Sequence, residues 1–188
     1  TSVDAAVISG NYTASAHGNI TACSLTVNSG AVVTISSGND VTLQGALTVS
    51  SGSFTLENNA NLIQTSDAAN SGNIIVKRNS SALKRQDYTL WSSPVVGQNL
   101  LAFSPQTLTN RFYEYNPSSN NYVAITPGTN SFIPGNGYLI RMPNNHPATA
   151  TVWNGQFTGV PNNGNVPVTM SSTYNLVGNP YPSPISMS

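Results

Sequence analysis

Residues 24–65 repeat themselves, and that repeat constrains the fold more than any other feature of the chain. Leu25-Thr26-Val27 aligns with Leu47-Thr48-Val49, and Ser29-Gly30 with Ser51-Gly52. Val33-Thr34-Ile35 falls on Phe54-Thr55-Leu56, and Val41-Thr42-Leu43 roughly on Asn61-Leu62-Ile63. The period is 20 to 22 residues, with three apolar–Thr–apolar segments per period, separated by Gly, Ser and Asn. Alternate side chains of a strand point to opposite faces, so the apolar pair faces one way and the threonine the other. A strand this short has no stability alone. Stacked coil on coil, such strands form parallel ladders around a continuous Leu/Val/Ile interior. The repeat therefore predicts a β-solenoid with Leu25, Val27, Ile35, Leu47, Val49 and Leu56 inside. Ala6-Val7-Ile8 and Gly18-Asn19-Ile20-Thr21 read as an imperfect first coil.

After Ser66-Asp67-Ala68-Ala69-Asn70 the repeat stops. Strands are expected at residues 74–78 and 87–91, joined by a basic connection. One short helix is expected within residues 94–104, closed by Pro105. Residues 111–116 and 122–126 read as a hairpin, because Pro117-Ser118-Ser119-Asn120-Asn121 supplies turn chemistry. Further strands are expected at 138–142, 149–153, 156–159, 166–170 and 174–177, punctuated by the turn-forming pairs Asn136-Gly137, Asn154-Gly155 and Asn163-Gly164. The expected fold is all-β: a short parallel β-solenoid over residues 1–70, then an antiparallel, jelly-roll-like β-sandwich over residues 71–188. The open end of the last coil must be covered, so the second domain is expected to pack on it near Leu62, Ile63 and Ile75.

Composition bounds the function. Ser and Thr number 44 and Asn 25 of 188 residues, while charged residues make up 6%, against about 25% in ordinary soluble domains. Neutral hydrogen-bonding groups therefore carry the solubility. Six basic and six acidic residues cancel, so no field holds DNA or RNA through its phosphates. Apolar runs are too short for a membrane-spanning helix, and no signal peptide is evident at the start. Low charge with abundant Ser, Thr and Asn suggests an exported bacterial β protein.

Four further segments carry a resemblance. They are Gly18-Asn19-Ile20-Thr21-Ala22-Cys23-Ser24-Leu25-Thr26-Val27 and Lys84-Arg85-Gln86-Asp87-Tyr88-Thr89-Leu90-Trp91-Ser92-Ser93-Pro94-Val95, then Gly135-Asn136-Gly137-Tyr138-Leu139-Ile140-Arg141 and Tyr174-Asn175-Leu176-Val177-Gly178-Asn179-Pro180-Tyr181-Pro182-Ser183. With these the chain resembles a module of large secreted and surface proteins of the Bacteroidota, particularly flavobacterial adhesin-like proteins. The resemblance implies export, commonly through the type IX secretion machinery, and an extracellular or outer cell-surface location. It implies no catalytic residues. In similar proteins more polypeptide follows the Gly-Asn-Pro-Tyr-Pro-Ser segment and a sorting domain lies further on, so the chain is expected to be part of a larger protein whose other domains are its partners.

Catalytic chemistry is poorly supplied. Asp4, Asp40, Glu57, Asp67, Asp87 and Glu114 are the only carboxylates, and a glycosidase or lyase needs a close pair or a positioned base. Asp40 and Glu57 share the solenoid but flank different strand ends. His17 and His146 lack ligand partners at metal-binding spacing, no calcium-loop pattern occurs, and Cys23 reads as a small buried residue rather than a nucleophile. No catalytic residue, cofactor or metal is therefore expected. Binding is better provided for. Lys77, Arg78, Lys84 and Arg85 form a basic cluster that either meets an anion or acidic glycan or blunts a sheet edge. Tyr113, Tyr115 and Tyr122 could stack on surface glycans, with Phe112 on the opposite face of its strand. Arg141 is expected to pair with Asp87 or Glu114. The outward threonines Thr26, Thr34, Thr42, Thr48 and Thr55 form single columns, too few and too interrupted for an ice-binding array, and fit solvent-facing strand positions. The expected function is a structural or adhesive module of a larger exported surface protein. The alternative is a carbohydrate-binding module of a secreted polysaccharide-degrading protein.

Overall fold

A computed structural model describes residues 3–186 of the chain. The described residues divide into two compact units. One contains the chain up to Arg78, Gln156–Asn165 and the segment from Tyr181; the other contains Asn79–Gly155 and Val166–Pro180.

The first unit is a β-solenoid of three coils. Coil one holds β1 (Ala5–Ile8), β2 (Tyr12–Thr13), the single-turn helix α1 (Ala14–His17) and β3 (Ile20–Ala22). Coil two holds β4 (Ser24–Val27), β5 (Val32–Ile35) and β6 (Asp40–Leu43); coil three holds β7 (Leu47–Val49), β8 (Ser53–Leu56) and β9 (Asn61–Gln64). The strands stack into three parallel ladders, β1-β4-β7, β2-β5-β8 and β3-β6-β9. The register places Leu25 on Leu47, Val27 on Val49 and Ile35 on Leu56. All six residues assigned to the interior from the repeat are buried. Ala6 and Ile8 sit on Leu25 and Val27, and Ile20 on Val41, so the imperfect first coil is a coil.

The register differs from the sequence alignment in two places. Val41 lies on Leu62 and Thr42 on Ile63, one residue later than aligned. Leu62 is buried at 2% exposure, while Ile63 takes the outward position of a threonine. The side-chain bond from Asn61 Nδ2 to Asp40 Oδ1, at 2.8 Å, spans the same two strands in that register. Turns shift likewise. Val32 pairs with Ser53, so Gly30 (φ 77°) stands over Ser51 (φ 56°), and the left-handed turn position is glycine in one coil and serine in the next.

The third coil is covered by the chain that directly follows it and by two segments that return late in the sequence. The strand β10 (Ile74–Leu83) continues the second ladder, Ile75 pairing with Thr55 and Val76 with Leu56. Pro182 O accepts from Leu62 N at 3.0 Å. Asn70 Oδ1 accepts from Leu47 N at 2.8 Å, and Asn70 Nδ2 donates to Gln64 Oε1 and Pro161 O. Asn163 Nδ2 reaches Ser66 O and Ala68 O. A division at residue 70 thus separates the last coil from the strand and segments that satisfy its backbone, which is why the solenoid unit extends to Arg78 and takes in two later segments.

The second unit carries a four-stranded antiparallel sheet. After β10 come β11 (Tyr88–Trp91), β12 (Val95–Val96) and α2 (Leu100–Phe103), whose N-cap Asn99 accepts from Ala102 N through its side chain. The strands β13 (Phe112–Asn116), β14 (Asn121–Ala124) and β15 (Tyr138–Arg141) follow, and the sheet order is β11-β15-β13-β14. The expected hairpin is present, with Tyr115 opposite Tyr122 and an Asx turn from Asn116 Oδ1 to Ser118 N. Two expectations fail. Asn154-Gly155 is no turn but the middle of one long strand, β16 (Thr151–Pro161), because β16 is held extended by ladder pairing with β10. Residues 166–170 and 174–177 form no strands beyond a single bridge from Val177 to Asn136; Pro167 lacks a ladder donor, and Asn175 engages Ser171 and Thr173 locally.

Candidate functional site

The antiparallel sheet has two unlike faces, and the residue alternation decides which side chain goes where. Trp91, Phe112, Tyr138 and Ile140 share the inner face, all buried. Trp91 packs edge-on to Phe103 and Trp153, and Phe132 bridges Phe103 to Tyr138. Large rings in such edge-to-face contact make a rigid backing for the sheet.

The outer face carries the others. Register puts Tyr88 opposite Arg141, Leu90 opposite Leu139, Leu139 opposite Tyr113, and Tyr115 opposite Tyr122. Leu90 is 50% exposed and Tyr122 39%. Tyr88 and Tyr113 lie with ring centroids 6.0 Å apart, and Tyr115 and Tyr122 5.7 Å apart. Three of these tyrosines were singled out in the sequence. Tyr88 and Leu90 were not, although the alternation Tyr88-Thr89-Leu90-Trp91 was there to place them on the face opposite Trp91.

Two arginines complete this face. The pairing of Phe112 with Ile140 puts Arg111 across from Arg141, whose N donates to Arg111 O at 3.2 Å. Arg111 Nη1 donates to Tyr113 Oη at 3.4 Å. That bond holds the Tyr113 hydroxyl below its usual ionisation range and raises the Arg111 guanidinium; both guanidinium charges add to the pull on Tyr113. Burial and the neighbouring Tyr113 push the Tyr88 hydroxyl up, against the same two charges. The expected pairing of Arg141 with Asp87 or Glu114 does not form. Asp87 Oδ2 accepts from Lys84 N, closing the turn before β11, and Glu114 sits opposite Tyr138 in the register, on the other face.

The basic cluster read from the sequence separates by role. Lys77 pairs with Glu57 at 2.8 Å, and the half-buried Arg78 donates to the carbonyls of Lys77, Ala60 and Pro182. Burial lowers the Arg78 guanidinium. Both residues hold the solenoid's end together. Lys84 and Arg85 are exposed in the turn that leads into Tyr88, with Arg85 N bonded to Pro147 O.

The remaining candidates have structural partners. Asp40 receives Asn61, and Asn39 binds Asn19 at 2.8 Å, so an Asn/Asp ladder runs across the third face of the coils. His146 is buried with Nε2 against Leu83 O and Thr151 O. His17 stacks on Tyr12 and bonds Thr13 O. Cys23 is a free thiol, half-buried rather than buried. Among the described residues no group of three His, Cys, Asp or Glu side chains converges as a metal site, and no helix is long and apolar enough to cross a membrane.

A family model of a domain of unknown function, DUF8693, matches residues 1–188. The chain belongs to that family. No curated protein and no solved structure matches this DUF8693 chain.

Proposed function

We propose that this DUF8693 chain is a non-catalytic adhesive module of a larger exported cell-surface protein, with the outer face of its antiparallel sheet making the contact. One observation carries the reading: four tyrosines and Leu90 share a face backed by a packed aromatic layer. A rigid array of rings is a binding platform that loses little conformational freedom on contact. The second unit fits a small sandwich, because Trp153 of β16 meets Trp91 of the antiparallel sheet with centroids 5.5 Å apart. Export through the type IX machinery and an outer-surface location rest on the composition and the four resembling segments. The other domains of the same protein are the partners such a module implies.

Sugar rings present apolar C–H faces that stack on tyrosine. The same face therefore supports the second reading, a carbohydrate-binding module of a secreted polysaccharide-degrading protein. A glycan array probed with the purified chain and with Tyr88→Ala and Tyr122→Ala tests the face. Signals that both substitutions abolish support it; signals that neither changes, or turnover of a substrate, overturn it. Protease accessibility on intact cells of the producing organism tests the location.

A further inference from the structure

The net charge of zero conceals a segregation. Asp4, Asp40, Glu57 and Asp67 lie in the solenoid unit with only Lys77 and Arg78. Lys84, Arg85, Arg111 and Arg141 lie in the second unit with only Asp87 and Glu114. The solenoid unit is acidic and the second unit basic by the same two charges.

Within the second unit, the cations gather at one end of the outer sheet face. Arg111 stands across from Arg141, and Tyr88 lies on the other side of Arg141. Lys84 and Arg85 occupy the turn that enters β11 at Tyr88. Like charges directly opposite one another in a sheet destabilise it. Neither arginine has a carboxylate within ion-pair distance among the described residues. The Nε atoms of both are buried and without a hydrogen-bond partner, an arrangement that calls for an explanation in a folded protein. A planar guanidinium offers a fork of donors that matches a carboxylate or sulfate.

We propose that Arg111 and Arg141, flanked by Tyr88 and Tyr113, bind the acidic groups of a carboxylate- or sulfate-bearing polysaccharide. The inference rests on the reading of this face as a contact surface and names its ligand class. The arginines receive the anion, the tyrosines stack on the rings, and Lys84 and Arg85 extend the field. A polysaccharide fits better than a free anion, because the rings at Tyr115 and Tyr122 continue along the face from the arginine pair.

The test uses the full chain in calorimetric titrations with two matched pairs. Polygalacturonate is compared with its fully methyl-esterified form, and dextran sulfate with dextran. Binding of a charged member that its neutral counterpart lacks is expected, and the responding pair distinguishes carboxylate from sulfate. Arg111→Gln and Arg141→Gln should each weaken that binding about tenfold or more, as loss of a charge-assisted hydrogen bond does. Added salt should weaken it further. Lys77→Gln, in the other unit, should leave it unchanged. Thermal melts establish that each variant is folded. Tyrosine-dependent binding of neutral and charged members alike overturns the inference and leaves the face as a glycan platform. Failure of all four polymers to bind overturns it, and an unaltered array signal from the tyrosine variants then overturns the reading of the face as well. Equal binding of poly-glutamate assigns the arginines to acidic peptides and overturns the saccharide class.

Discussion

The solenoid and the antiparallel sheet use their polar side chains in opposite ways. In the solenoid unit, charged and amide groups bind one another between coils and between the last coil and its cover: Asp40 to Asn61, Glu57 to Lys77, Gln64 to Asn70. Arg78 is consumed by backbone carbonyls. On the outer sheet face Arg111 and Arg141 confront each other, while Asp87 closes the turn before β11 and Glu114 stands on the opposite face. A region whose polar groups satisfy each other is scaffold. A region that holds like charges together beside partly exposed rings leaves polar groups unanswered from within, and that contrast underlies the proposed contact face.

The first way to break this comparison is to attack the scaffold's interior. Leu47→Asp puts an unpaired carboxylate where exposure is 0% and should abolish cooperative unfolding of the chain, a loss of several kcal/mol or more, about the scale of an uncompensated buried charge. Circular dichroism and urea titration read it. A variant that melts like the wild type would place Leu47 outside.

Gly72→Ala comes next. Gly72 has φ 81°, and an added Cβ would lie 2.1 Å from Val49 O. The cover of the third coil must shift to admit it, and a destabilisation of about 2–3 kcal/mol is expected. Asn70→Ala should cost about 1–3 kcal/mol, since it removes the acceptor of Leu47 N and the partner of Gln64. Equilibrium urea unfolding measures both, and a null effect of Asn70→Ala would show that the coil end is held without that bridge.

The smallest expected stability effect sharpens the comparison from the other side. Arg111→Gln removes one of two opposed charges together with a buried unpaired Nε, and should leave stability unchanged or raise it by less than about 1 kcal/mol. It should also raise the titration of Tyr113, read as the ultraviolet absorbance difference from the wild type, because the bond that depresses it is lost. Unfolding of Arg111→Gln at ordinary temperature would make Arg111 part of the scaffold.

The coils were readable in the sequence because two periods coincide, the alternation within a strand and the 20- to 22-residue repeat. Where the local pattern was ambiguous, reading failed by one residue. Leu62-Ile63 offers two adjacent apolar side chains, and only pairing with Val41 and Thr42 decides which faces inward. Asn154-Gly155 has turn chemistry, yet the requirements of an 11-residue strand override it. Alternation correctly put Tyr113 and Tyr115 opposite Phe112. The arginine pair was hidden because it is a property of register: Arg111 precedes β13, and nothing local brings it to Arg141, thirty residues later.

Hydroxyl-radical footprinting of the full chain, with and without polygalacturonate or dextran sulfate, tests the division between scaffold and contact face most directly. Tyr88, Tyr113, Tyr115 and Tyr122 should lose reactivity together in the presence of the bound polymer. Tyr12 in the first coil and the exposed Tyr174 should keep theirs. Protection at Tyr12, or undiminished oxidation of the four sheet tyrosines while a polymer is bound, would contradict the account.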